Sequence, residues 1–292
     1  MTTQTAQSGD SENRIWLGAM CMCLAMFGGA SIDVAAKALS ADYSTAQIVL
    51  LRSVFALPIV FSLVVQQVGV GALAHAGFGW QLWRGVLTAG ANFGFFYGLI
   101  YVELVTALML AYIGPVLIVL LAWPLLGERL SLARCLGVGV GFAGVLFVIQ
   151  PTDFQFEPGV LAILGSALCW ALLSISNRKL ATRVSTPVLT FYTYPISLLL
   201  AVVFTLDRWV TPVGWDWGLF AVAGLGSVFA HGFAAAAYKY APAGVVAPFE
   251  YTALIWIASA GFVFWGEVPA WTVWLGGAAV IVGGAIALRS RE

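Results

Sequence analysis

The chain has 292 residues, of which 61% are hydrophobic and only 9% charged, and its 13 basic and 13 acidic side chains cancel. A soluble domain carries roughly a quarter charged residues. The composition therefore excludes a soluble globular enzyme, a disordered chain and a basic nucleic-acid binder, and it points to a polytopic membrane protein. At ~30 residues per helix and connection, this length allows about nine or ten spans.

In chain order, residues 1–14 are polar and rich in Ser, Thr and Gln, without the basic flank and cleavage site of a signal peptide. They are expected to form a short disordered cytoplasmic tail. Apolar runs then predict helices over 15–37, 44–66, 79–101, 104–124, 131–149, 158–178, 187–207, 215–238, 243–265 and 270–289. The first carries Met20-Cys21-Met22-Cys23, which suggests soft-metal ligation. Residues two apart point to different sides of a helix, which favours packing or lipid contact. Cys135 and Cys169 also lie in apolar stretches, so no disulfide framework is expected. Pro58, Pro115, Pro187 and Pro195 interrupt the second, fourth and seventh runs, either as hinges or as static kinks. In the fifth and tenth, Gly137 and Gly141, and Ala279 and Gly283, make small-residue faces suited to helix packing or dimer contact. Trp80, Trp83, Trp209, Trp215, Trp217, Trp271 and Trp274 lie near run ends and read as interfacial belts.

Basic residues set the orientation. One side collects Arg14, Arg84, Arg129, Arg134, Arg178, Lys179, Arg183, Lys239, Arg289 and Arg291, and the other only Lys37 and Arg208. Both termini are therefore expected in the cytoplasm.

The halves resemble each other at a shift of 139 residues: Gly85 meets Gly224, Tyr101 meets Tyr240, Tyr112 meets Tyr251, and Gly127-Glu128 meets Gly266-Glu267. A repeat of five spans is odd, so the second copy enters the membrane inverted. The expected architecture is an all-α membrane protein of ten transmembrane helices, with repeats over 15–150 and 151–292 around a central cavity. Inverted repeats of this kind recur in secondary transporters.

Several motifs then resemble a known family. They are Asp33-Val34-Ala35-Ala36-Lys37, the stretch from Gln47 to Arg52, Leu126-Gly127-Glu128-Arg129, Ala247-Pro248-Phe249-Glu250-Tyr251 and Trp265-Gly266-Glu267. Their order resembles the drug/metabolite transporter superfamily of the EamA type. The resemblance implies transport of small metabolites, by export of amino acids and similar compounds or by import of vitamins and cofactor-like compounds. It does not specify the cargo.

The candidate site residues are polar groups inside apolar runs, where their cost demands a reason. Arg52 lies roughly 12 Å into its span. It suits a substrate carboxylate or a structural partner such as Asp33. Glu250 lies ~10 Å into the ninth run from the cytoplasmic side. It follows Pro248, and suits cation binding, proton coupling or a hydrogen-bonded packing role. On a ~30 Å core the two charges stand roughly 8 Å apart along the membrane normal, a spacing suited to a zwitterion. Asn92 and His231 occupy equivalent positions in the two repeats, and His231 is a second proton-coupling candidate. Tyr97, Tyr112 and Tyr251 complete the substrate-binding set as amphiphilic aromatics. Glu128 and Glu267 are expected to interact with the N-termini of the helices that follow them, or to take part in gating. Two histidines, one of them His75 in a loop, argue against a metal centre. Gly137-Val138-Gly139-Val140-Gly141 lacks the Lys-Ser/Thr ending of a phosphate loop.

No catalytic residues, metal or cofactor are expected, and an intramembrane enzyme lacks a convergent nucleophile and base. The expected partners are a small-molecule substrate and the lipid bilayer, in a monomer or homodimer of the inner membrane, with no nucleic acid.

Overall fold

A computed structural model describes residues 2–98, 100–102, 104–149, 158–266, 268 and 271–288; for residues 2–12, 104–106, 109, 148 and 149 it describes the backbone alone. Among the described residues every regular element is helical. The first half contains α1 (Thr2–Leu39), α2 (Thr45–Gln67), the single turn α3 (Gly71–Ala74), α4 (Phe78–Gly98), α5 (Leu104–Ala111), α6 (Gly114–Leu126) and α7 (Leu132–Ile149). The second contains α8 (Pro158–Leu180), α9 (Thr186–Phe191), α10 (Pro195–Thr205), α11 (Asp216–Tyr240), α12 (Ala243–Val246), α13 (Ala253–Trp265) and α14 (Trp271–Leu288).

Seven helical stretches among the described residues are long and apolar enough to cross a membrane: Asn13–Leu39, Thr45–Gln67, Pro158–Leu180, Thr186–Arg208, Asp216–Tyr240, Ala243–Trp265 and Trp271–Leu288. Helix α1 continues back to Thr2, through the residues expected as a tail. The ranges expected for the third to fifth spans hold α4, the pair α5 and α6, and α7.

Three of these stretches are broken, and proline chemistry explains where. The chain turns between Ala111 and Gly114, and Pro115 opens α6, where its missing N–H costs nothing. It turns again between Phe191 and Pro195, which opens α10. Between α12 and α13 the backbone tightens into a 3₁₀ segment, Ala247–Thr252, that contains Pro248. Pro58 behaves differently from the expectation and sits inside an unbroken α2. Pro187 opens α9 rather than interrupting it. The equivalent glycines Gly127 and Gly266 end α6 and α13 with left-handed backbones, at φ 71° and 67°. Only glycine takes that conformation cheaply, so the repeated Gly-Glu motif begins as a helix stop.

Helices meet through residues that lack bulk. A Cβ on Gly28 of α1 would come within 2.6 Å of the Gly226 carbonyl and the Ala230 amide of α11. A Cβ on Gly159 of α8 would come 2.8 Å from the Gly98 carbonyl of α4. In α7 and α14, Gly137 faces Gly283 and Gly144 faces Gly276, with backbone approaches of 2.7 and 3.0 Å to such a Cβ. The small-residue faces expected on these two helices thus pack against each other within one chain.

Arg84, counted from sequence among the basic residues of the cytoplasmic side, takes another role. It is fully buried in α4. Its guanidinium donates to Gln81 Oε1 at 2.6 Å, to Asn177 Oδ1 at 2.7 Å and to the Leu189 carbonyl at 3.0 Å, so it ties α4 to α8 and α9. Trp80, Leu82 and Trp83 are exposed residues of that turn, and Arg84 takes the inward face.

Candidate functional site

A cavity of about 330 Å³ opens between the two halves, within the usual size of small-molecule sites. Asp33 of α1, Arg52 of α2 and Asn92, Phe95 and Phe96 of α4 come from the first half, with Tyr112 and Pro115 at the break between α5 and α6. Ser166 and Trp170 of α8, His231 of α11 and Glu250 of the 3₁₀ segment come from the second. The walls are otherwise mostly small or aliphatic. Two of the three helix breaks thus supply wall residues, in keeping with irregular backbone being tolerated at membrane depth where it borders a cavity.

Arg52 is only 8% exposed, and its Nη2 donates to Asn92 Oδ1 at 3.0 Å. Asn92 Nδ2 in turn donates to the Thr88 carbonyl at 3.0 Å, which fixes the amide and so orients the guanidinium. Asp33, weighed from sequence as the partner of Arg52, shares the cavity wall and interacts with it electrostatically. Among the described residues no hydrogen bond or ion pair engages the Asp33 carboxylate, which is open to the cavity.

Glu250 is the opposite case. It is 4% exposed, and both its oxygens are held: Tyr238 Oη donates to Oε1 at 2.7 Å and Trp170 Nε1 donates to Oε2 at 2.9 Å. The imidazole of His231 lies between aromatic neighbours, 6.3 Å from the Trp170 ring and 5.8 Å from the Tyr194 ring, which it meets edge to face.

Of the seven residues expected to bind substrate, the structure places Arg52, Asn92, Tyr112, His231 and Glu250 on the cavity wall. Tyr97 and Tyr251 are not on it. At about 100° per residue, Tyr97 points roughly 140° away from Asn92 around α4. It is 49% exposed, with its hydroxyl 3.2 Å from that of Tyr101. Tyr251 lies behind Tyr112, at a ring separation of 6.0 Å, and is pressed against Gly141 of α7. Sequence reasoning missed Tyr238 altogether. Trp170, expected from sequence among the aromatics that either pack or line the pocket, is on the cavity wall with Ser166, four residues away on the same face of α8.

Glu128 also departs from the expectation. Its carboxylate meets the next helix, α7, only through the Arg134 side chain, and not through that helix's backbone N–H groups. It reaches across to the other half, accepting from the backbone N–H of Ala243 at 2.9 Å and of Gly244 at 3.2 Å. Arg178 Nε lies 3.3 Å from it and Arg134 Nη1 3.8 Å from it. Arg178 also donates to the Tyr238 carbonyl at 3.0 Å. This end of the bundle, where α6 joins α7 and α11 joins α12, is cross-linked by charge. Glu267, expected to act similarly, lies outside the described residues.

The cavity is thus mostly apolar, carries a few polar side chains, and is walled by both halves of the chain. A family model described as the EamA-like transporter family matches residues 16–150 and 157–289. The chain belongs to this family. Among curated proteins, the pseudopaline exporter CntI of Pseudomonas aeruginosa is 29% identical over 278 residues, covering 94% of this chain and 97% of that protein. An S-adenosylmethionine uptake transporter of Rickettsia prowazekii is 25% identical, covering 88% of this chain and 87% of its own. A riboflavin transporter of Vibrio cholerae is 29% identical over 70% of each. A solved crystal structure shares the fold, with a TM-score of 0.75 at 24% identity, covering 90% of this chain and 96% of its own. This EamA-family chain is thus a multi-pass membrane transporter of small molecules, not an enzyme.

Proposed function

We propose that the chain is a secondary active transporter that exports small organic metabolites, amino acids or similar amphiphilic compounds, across the inner membrane by alternating access. The observation that carries this reading is the cavity itself. It is walled by both halves, mostly apolar, and furnished with one guanidinium and two carboxylates. A substrate with a charged head and an apolar or aromatic body matches such a lining. No nucleotide-binding motif accompanies the spans, so the work is drawn from a gradient, with Glu250 and His231 as the proton-coupling candidates.

In this reading the chain crosses the membrane ten times, as two inverted five-helix repeats with both termini in the cytoplasm. The packing supports a two-fold relation. The first span meets the eighth as α1 against α11, and the third meets the sixth as α4 against α8, a pair that exchanging the repeats would generate. The fifth and tenth meet as α7 against α14, and the equivalent tyrosines Tyr112 and Tyr251 touch across the centre.

The purified chain in liposomes is expected to move radiolabelled amino acids, and Arg52→Ala is expected to abolish that movement. Full activity in the variant would remove Arg52 as the anchor. The second reading is uptake of a vitamin or nucleoside-like cofactor, favoured by relatives named for S-adenosylmethionine and riboflavin. A deletion strain separates the two, since loss of an importer gives auxotrophy and loss of an exporter gives sensitivity to excess metabolite.

A further inference from the structure

The cavity holds two acids in different circumstances. Both Glu250 oxygens already accept from Tyr238 and Trp170, so an incoming ammonium would have to compete with two neutral donors fixed by packing. Asp33 has no such engagement among the described residues, and it opens onto the cavity. Arg52, on the neighbouring wall, spends one of its N–H groups on Asn92. Among the described residues nothing else bonds to its guanidinium. Asp33 and Arg52 feel each other's charge but form no ion pair. Opposite charges that share a cavity without closing on each other leave room for a group that bridges them.

We propose that Asp33 and Arg52 together form a head-group clamp for a free α-amino acid moiety, the Asp33 carboxylate taking the ammonium and the Arg52 guanidinium the carboxylate. The clamp rests on the transport reading above and names its substrate class. Arg52 offers the planar fork that matches a carboxylate, with Asn92 holding it in register. Asp33 offers an acceptor-only group for the three donors of an ammonium. Phe95, Phe96, Tyr112 and Trp170 supply the apolar and aromatic remainder of the cavity for the substrate's side chain. Glu250 is a wall residue whose orientation is set by its two donors, and it is not the amine site. A pocket built to pair a charged group rejects the analogue lacking that group, because its own charge is then left unmatched.

The test is titration calorimetry on the full chain in detergent micelles with three probes of one side chain: phenylalanine, phenethylamine, which lacks the carboxylate, and hydrocinnamate, which lacks the amine. The wild-type chain is expected to bind phenylalanine about tenfold or more tightly than either analogue. Asp33→Asn is expected to erase the preference over hydrocinnamate, Asp33→Glu to keep it, and Arg52→Gln to erase the preference over phenethylamine. Tyr97→Phe, outside the cavity, is expected to leave all three affinities unchanged, and size-exclusion profiles confirm that each variant is folded. The clamp is overturned if Asp33→Asn keeps the wild-type order, or if Glu250→Gln rather than Asp33→Asn erases the preference over hydrocinnamate. It is also overturned if the wild-type chain binds none of the probes. In that last case the transport reading still stands or falls separately on the liposome assay and the deletion strain.

Discussion

Two regions of the bundle use the same residue types to opposite purpose. Where α6 joins α7, the Glu128 carboxylate is saturated by two backbone amides and flanked by two guanidinium groups, and it stitches one half to the other. Around the cavity, Asp33 and Arg52 stand apart and the space between them is open. An acid and a base in an apolar bundle draw together unless the packing holds them apart. Charges that have closed on each other therefore mark where the chain is shut, and charges kept separate mark where it receives something else.

Four substitutions break or sharpen that contrast. The largest effect is expected at Arg52→Ala, which removes the cavity's only guanidinium among the described residues. Liposome flux should fall about a hundredfold or more, while the melting midpoint moves little. Glu128→Ala acts at the closed end, where it removes an acceptor shared by Arg178, Arg134 and two backbone amides. Because Arg178 and Glu128 keep partial exposure and the arginines keep other acceptors, a loss of about 2–3 kcal/mol of stability is expected rather than the full value of a buried pair, read as a lower thermal unfolding midpoint in detergent. Gly137→Ala pushes a methyl against the Gly283 carbonyl and Ala287, and about 1–2 kcal/mol is expected in the same assay. The smallest effect is expected at Trp170→Phe. It takes one of the two donors from Glu250, costing about 1 kcal/mol, and transport should fall severalfold without being lost.

Much of this architecture was legible before any coordinates. Hydropathy alone located the helical stretches, and a lone arginine or glutamate inside an apolar run singled out Arg52 and Glu250, because such a residue is too costly to be incidental. Contacts between helices were not legible. Tyr238 and Trp170 reach Glu250 from two other helices, 12 and 80 residues away in sequence, and no local pattern encodes that meeting. Tyr97 is close to Asn92 along the chain but lies on a different face of α4, away from the cavity. Glu128 was assigned to the nearest helix start, whereas packing brings one from the other half closer. Arg84 stands near the start of a span, where a cation counts toward orientation, and only the positions of α8 and α9 reveal the acceptors that bury it.

That buried corner has a consequence for energy coupling. Arg84 is gripped by two side-chain amides and one main-chain carbonyl. None of these acceptors ionises, and a guanidinium keeps its proton throughout the biological range. The joint between α4, α8 and α9 is consequently deaf to acidity. A cycle driven by hydrogen ions would pivot beside a fastening that those ions leave alone.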